Sequence, residues 1–335
     1  MSLHRCGARS SVLLREERCI SIVVVAGVSV HIPSSLDDGS RLSIAPALAA
    51  AYLQSLEANG LLALANGARP DPAPVGGLSK EATDLHYAHA FDGSAARAQL
   101  ALLDPKSEVE TTSTTLLQYL TGGDLTFIDV PAGAGAAALS LLCSVAELRR
   151  VGTLPRTPLK VNLLWGEISE PARNYADELM GRVETTLADQ AIFVDWSVFS
   201  WDVLSEVSNA ALVEKIVISK ASSEQTLLLI SNFNGFLEKE NKKKAAYPQL
   251  AELLKYSSGS LNAAVWIEPN MNTAKLKLFP FILDKLAKLA GFAKAALGGA
   301  GNESTEYLFA IPMKPTSTAN VRLCVMPIEL TKAVV

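Results

Sequence analysis

The residues with the clearest chemical potential sit in Leu125-Thr-Phe-Ile-Asp129-Val-Pro131-Ala132-Gly133-Ala-Gly135, followed by the apolar run Ala136 to Leu142. A strand-like run leads into an acid, then a turn of small residues, then a segment rich in alanine and leucine that reads as a helix. Gly133 and Gly135 carry no side chain to block a ligand. The unpaired N–H groups of the first helical turn would face whatever occupies that turn. Asp129 would end the first strand, where open α/β sheets bind their ligands. The opposing reading is that the small residues only let the helix pack on the strand. Further acids and amides follow later strand-like runs: Glu167 after Val161-Asn-Leu-Leu-Trp165, Asp202 in Trp196-Ser-Val-Phe-Ser-Trp201-Asp202, and Ser231-Asn232-Phe-Asn234 after Leu227 to Ile230. Upstream, the helical region offers His86, Tyr87 and His89 as proton-transfer candidates in Asp84-Leu-His86-Tyr87-Ala-His89-Ala-Phe-Asp92.

Composition narrows what this chemistry serves. The chain has 335 residues, 49% hydrophobic, with a formal net charge of -4. It is long enough for a large core, and its charge supplies no global field toward nucleic acid or an anionic membrane. Cys6, Cys19, Cys143 and Cys324 show no metal-binding spacing, and His4, His31, His86 and His89 all fall in the first third, so no metal site is expected. The apolar run from Ile20 to Ile32 is shorter than the ~20 residues needed to span a bilayer. A basic segment precedes it, but Glu16 and Glu17 abut it, so the expectation is an N-terminal strand or hairpin in a cytoplasmic protein without a membrane segment.

Two regions must position the site. Residues 1–121 form an N-terminal strand and helical region, with helices expected over 45–64, 80–90, 94–103 and 107–120 and a linker over 70–77. Residues 122–335 alternate strands (125–128, 160–165, 191–198, 226–231 and 263–267) with helices (136–150, 170–189, 203–215, 247–256 and 274–295). That order predicts an α/β fold, a Rossmann-like seven-stranded mostly parallel sheet. Its last strands, 307–311 and 321–326, are separated only by the 312–320 loop, too short for a crossover helix, and must pair as an antiparallel C-terminal hairpin.

Over 122–328 this order resembles the class I S-adenosylmethionine-dependent methyltransferase superfamily, whose first motif reads acid-x-Gly-x-Gly-x-Gly. Here Pro131 stands at the first glycine. The resemblance implies S-adenosylmethionine as cofactor, with Asp129 near the methionine amino group and Ala132, Gly133 and Gly135 under the methionine and ribose. It implies Glu167 at the ribose hydroxyls, Asp202 at the adenine amino group with Trp201 on the ring, and Ser231 beside the methyl-transfer position. Each has a structural alternative: Glu167 as an acid near a helix N-terminus, Asp202 as a helix cap, Trp201 as core. The Ser231 to Phe236 segment faintly resembles the Asn-Pro-Pro-aromatic signature of amino-group methyltransferases without its prolines, so Asn232 and Asn234 are read equally as turn residues.

Methyl transfer needs mainly alignment, so no catalytic residue is assigned; Asn232, His86, Tyr87 and His89 are the candidates, with ordinary surface or interface histidines the rival reading. Between Glu238 and Lys294 ten lysines face five acids, a local net of +5, and Lys239 to Lys294 is a candidate RNA-binding region. Trp266-Ile-Glu268-Pro269 also resembles the methyltransferase-like family tied to mitochondrial small ribosomal subunit assembly, although that family's cysteine cluster is absent. The expected acceptor is a small molecule or a protein. The alternatives are an RNA- or ribosome-associated protein, or a non-catalytic interaction protein keeping the fold. Oligomeric state is left open.

Overall fold

The structure is a computed structural model that describes residues 22–25, 28–70, 74, 76–239, 241–269 and 303–330. Among the described residues a seven-stranded sheet carries the molecule. Its strands are β3 (Gly123–Asp129), β4 (Leu159–Gly166), β5 (Ile192–Phe199), β6 (Gln225–Ser231), β7 (Asn262–Pro269), β8 (Glu303–Ile311) and β9 (Lys314–Glu329), preceded by a small hairpin of β1 (Ile22–Val25) and β2 (Val28–His31). The order across the large sheet is β5-β4-β3-β6-β7-β9-β8. The first five are parallel, and β9 runs antiparallel to both β7 and β8. The predicted fold class, hairpin included, is what the chain adopts.

Helices cover the two faces: α5 (Ala136–Arg150) and α6 (Glu170–Ala188) on one, α7 (Glu206–Lys220) and α9 (Lys243–Ser257) on the other. The central strands are apolar on both sides, as a sheet buried between helical layers requires. Leu125, Phe127, Leu227 and Val265 join one core cluster, and Ile128, Leu228, Ile230 and Trp266 join the second. The N-terminal helices α1 (Pro46–Ala58), α3 (Lys80–Leu103) and α4 (Glu110–Leu120) add Leu48, Phe91, Leu100 and Leu116 to the first of these clusters.

Several elements differ from the sequence expectation. The helix expected over 45–64 is two, because Gly60 takes φ +70 and Asn59 Nδ2 caps the Ser55 carbonyl at 2.9 Å; α2 (Leu62–Asn66) then ends at Asn66-Gly67. Conversely, 80–90 and 94–103 are one helix. The Asp92-Gly93 pair reads locally as a turn, yet Arg69 holds Asp92 from outside the helix and Arg97, one turn on, covers Gly93, so α3 runs through it. The turn after β6 holds a short helix, α8 (Asn234–Lys239), that the sequence did not signal. The hairpin turns at Pro312-Met313, and most of the 312–320 segment is strand. That part of β9 pairs only with edge strand β8, where poor strand formers are tolerated. The helix expected over 274–295 lies outside the described residues. No described helix is long and apolar enough to cross a membrane.

Candidate functional site

The turn after β3 is built by backbone demands that glycine meets. Gly133 (φ +55) and Gly135 (φ +76) are left-handed, and Gly135 forms the N-cap of α5. The Val130–Pro131 peptide bond is cis. The two glycines differ in surroundings. A Cβ at Gly133 would meet nothing within 4 Å, whereas one at Gly135 would lie 3.0 Å from Trp165, 3.2 Å from Leu139 and 3.3 Å from Ala176. Gly133 therefore faces open space, and Gly135 serves the packing of α5 on β4. Both alanine variants carry the left-handed strain of ~1–2 kcal/mol, and Gly135→Ala adds crowding. Urea denaturation is expected to show Gly135→Ala as the more destabilised of the two; equal midpoints would contradict this division of roles.

The turn is clamped to the end of β4. Ala132 N–H donates to the Gly166 carbonyl at 3.0 Å, and Gly133 N–H donates to Glu167 Oε2 at 3.0 Å. The other carboxylate oxygen, Oε1, accepts from Ser169 N–H at 2.8 Å. Glu167 is thus a bridge between two loops at adjacent strand ends. Burial raises its pKa, and the Ser169 and Gly133 amides oppose that shift. Each oxygen keeps a second lone pair. Helix α6 is capped by Ser169, and Glu167, two residues before it, accepts from the Ser169 N–H, so the alternative of an acid near this helix N-terminus describes its position as well.

Asp129 lies fully buried behind the turn, in register with Trp165 on one side and Leu229 on the other. Trp165 Nε1–H donates to its Oδ2 at 3.2 Å, while Oδ1 has no hydrogen-bond partner among the described residues. Burial pushes this carboxyl up to about 7, against the Trp165 donor and the nearby Ala138 amide, which favours the charged form without reaching hydrogen-bond geometry.

Asp202 sits after β5, half-buried; its Oδ1 accepts from Leu204 N–H at 2.9 Å in a local turn, and Ser205, not Asp202, caps α7. Trp201 is buried in the second core cluster, donates to Asn209 Oδ1 at 3.3 Å, and packs close to the Cα of Gly166. Ser231 is buried at the end of β6.

Helix α3 crosses this carboxyl edge. Its N-terminal turn meets β4's loop, where Thr83 and Ser169 hydroxyls are 2.9 Å apart. Its middle meets α5, where Ser140 donates to the Ala95 carbonyl at 2.7 Å. Farther along, Arg97 Nε donates to Asn232 Oδ1 at 2.9 Å, beside the end of β6. Asn232 is held left-handed (φ 55), with its N–H on the Ile267 carbonyl. The next two amides, Phe233 and Asn234, both donate to Glu268 Oε1, which also accepts from Trp266 Nε1 at 2.6 Å. Burial pushes the Glu268 carboxyl up in pKa. Neither Arg97 nor Glu268 was singled out from the sequence for the site, and only the fold brings α3 to β7.

The histidine-tyrosine group divides. Tyr87 is buried, stacks on Tyr175 at 4.1 Å and donates to Ser55 Oγ, so it belongs to the aromatic packing of α1, α3 and α6. His89 is buried with no partner for Nδ1 among the described residues, and burial, then Arg69, holds it toward neutrality. His86 stays on the half-exposed face of α3; burial, then the Arg97 charge, lowers its pKa. In the lysine-rich region, Lys242 lies over the Phe236 ring at 4.6 Å and Lys243 pairs with Glu238. Lysines 275, 277, 285, 288 and 294 are outside the described residues.

No protein-family model matches the sequence, and no curated protein matches it. Solved structures align with it at low similarity. The chain aligns with precorrin-6y C5,15-methyltransferase of Geobacter metallireducens at 13% identity and TM-score 0.32, covering 67% of this chain and 88% of that one. It aligns with a TehB-like SAM-dependent methyltransferase of Corynebacterium glutamicum at 14% identity and TM-score 0.28, over 62% and 80%. Aeropyrum pernix fibrillarin, solved with natively bound S-adenosyl-L-methionine, aligns at 9% and TM-score 0.31, over 70% and 76%. The fold rests on the strand order itself: five parallel strands closed by an antiparallel hairpin whose last strand inserts beside β7 make the Rossmann-like, mostly parallel seven-stranded sheet.

Proposed function

We propose that the protein is an S-adenosylmethionine-dependent methyltransferase acting on a small-molecule or protein acceptor. The observation that carries this reading is the Glu167 clamp on the open Gly133 turn, at the carboxyl end of the central strands of this sheet. The available groups fit such a cofactor: Glu167 has free lone pairs for a vicinal diol, Gly133 leaves room for close approach, and Asp129 Oδ1 is a buried acceptor without a partner among the described residues. S-adenosylmethionine supplies an activated sulfonium methyl when bound. The chain's part is to bind, orient and exclude water, with Glu167 fixing the turn and Asp129 offering a carboxylate to an ammonium group.

Calorimetric titration of S-adenosylhomocysteine tests the reading, and no binding heat at millimolar ligand would overturn it. Asp129 gives the binding a pH signature. Its carboxyl holds a proton in the free protein up to about 7, while pairing with an ammonium requires the ionised form. Affinity is therefore expected to rise about tenfold from pH 6 to 7.5, with proton release, and to level off above that. Asp129→Asn should flatten the profile; an unchanged slope in that variant would assign the proton elsewhere.

A further inference from the structure

At the end of β6, the hydrogen-bond partners of Arg97 are all neutral among the described residues. Its Nε donates to Asn232 Oδ1 at 2.9 Å and its Nη2 to Ser94 Oγ at 3.1 Å. No carboxylate makes an ion pair with it among the described residues: Asp92 is held by Arg69, and Glu268 commits one oxygen to three donors. Asp92 and Glu268 nevertheless lie near enough to favour its charge, while burial pulls its pKa down to about 10. A half-buried guanidinium without a paired anion is costly unless something negative arrives. Its Nη1 lies over Gly93, 3.7 Å from where a Cβ would stand.

Arg97 also decides what Asn232 can offer. A guanidinium only donates, so Asn232 must turn its carbonyl oxygen toward it. The amide NH2 is then left facing outward as a donor. An asparagine that orients an amine does so through its oxygen, and here Arg97 already occupies one of that oxygen's two lone pairs and sets a positive charge beside it. The edge beside β6 therefore presents donors, from Arg97 and from Asn232, to whatever is methylated.

We propose that the methyl acceptor presents an oxyanion, a carboxylate or a phosphate, to Arg97 and the Asn232 NH2 at the end of β6. The word acceptor rests on the methyl-transfer reading above, whereas the anion site itself does not.

The test is an NMR titration of the full chain labelled with 15N-arginine. The Arg97 Nε–Hε signal is assigned by its loss in Arg97→Lys and, independently, by its displacement in Asn232→Ser. Inorganic phosphate and acetate are titrated separately to about 50 mM at constant ionic strength against sodium chloride, with calorimetric titration of S-adenosylhomocysteine on the same sample. The expected result is a saturable displacement with half-saturation on the order of 10 mM. Saturation by phosphate alone or by acetate alone supports the site and identifies the group. A displacement no larger than the chloride control with both anions overturns it, even if S-adenosylhomocysteine binds. Anion saturation without S-adenosylhomocysteine binding overturns the methyl-transfer reading, and with it the acceptor assignment, while the anion site stands.

Discussion

Replacing Glu268 with alanine is expected to lower folding stability by about 3–5 kcal/mol, the largest effect of any single change at the carboxyl edge. One oxygen of this buried carboxylate accepts from Phe233 N–H at 2.9 Å, Asn234 N–H at 2.7 Å and Trp266 Nε1–H at 2.6 Å. Alanine leaves three donors buried without an acceptor, and each orphan costs ~1–3 kcal/mol. Glutamine should behave differently. All three donors converge on Oε1, which a glutamine carbonyl can replace, and burial disfavours the charge that glutamine lacks. Glu268→Gln is therefore expected to lie within about 1 kcal/mol of the parent by urea denaturation. The pH dependence has a definite sign. A carboxyl raised in the folded state contributes stability that is full at low pH and is lost as pH rises through its folded pKa, so Glu268→Gln gains on the parent as pH increases. A glutamine variant as unstable as the alanine one would show that the charge, with Arg97 nearby, matters more than the acceptor.

Glu167 should give the opposite pattern with the same two substitutions. Here the donors are split: Gly133 N–H sits on Oε2 at 3.0 Å and Ser169 N–H on Oε1 at 2.8 Å. A glutamine can satisfy one and must point its NH2 at the other, which sets donor against donor. Both Glu167→Ala and Glu167→Gln are therefore expected to loosen the turn after β3 and to weaken S-adenosylhomocysteine binding about 100-fold, or ~3 kcal/mol, by calorimetry. Asp at this position is shorter and should not span both loops. Retention of parental affinity in Glu167→Gln would remove Glu167 from the cofactor-binding role and leave it a loop clamp. The two glutamates thus separate a buried acceptor that tolerates neutrality from one that needs two equivalent oxygens.

The described helices and strands show how far local pattern reaches. The run Leu125 to Ile128, the small-residue turn and the alanine-rich helix are all where the residues predict them, because burial on both faces of a central strand leaves a plain apolar signature. The antiparallel hairpin was equally legible, since nine residues cannot hold a crossover helix. The failures share a cause. Asp92-Gly93 is a turn signal overridden by Arg69, which holds Asp92, and by Arg97, which covers Gly93, and the 312–320 segment is weak in strand propensity but pinned as the partner of an edge strand. Tyr87 looked like a proton-transfer candidate because a short motif does not say which helical face is buried.

Residue order alone therefore settled the fold class, the alternation of elements and the position of the Gly133 turn, because hydrophobic period, glycine and connection length act over a few residues. Only the tertiary structure joined Glu167 to Gly133, laid α3 across the strand ends and brought Arg97 to Asn232, 135 positions away in the chain. Such pairings depend on how helices pack on the sheet, and no local pattern records which side chains meet there.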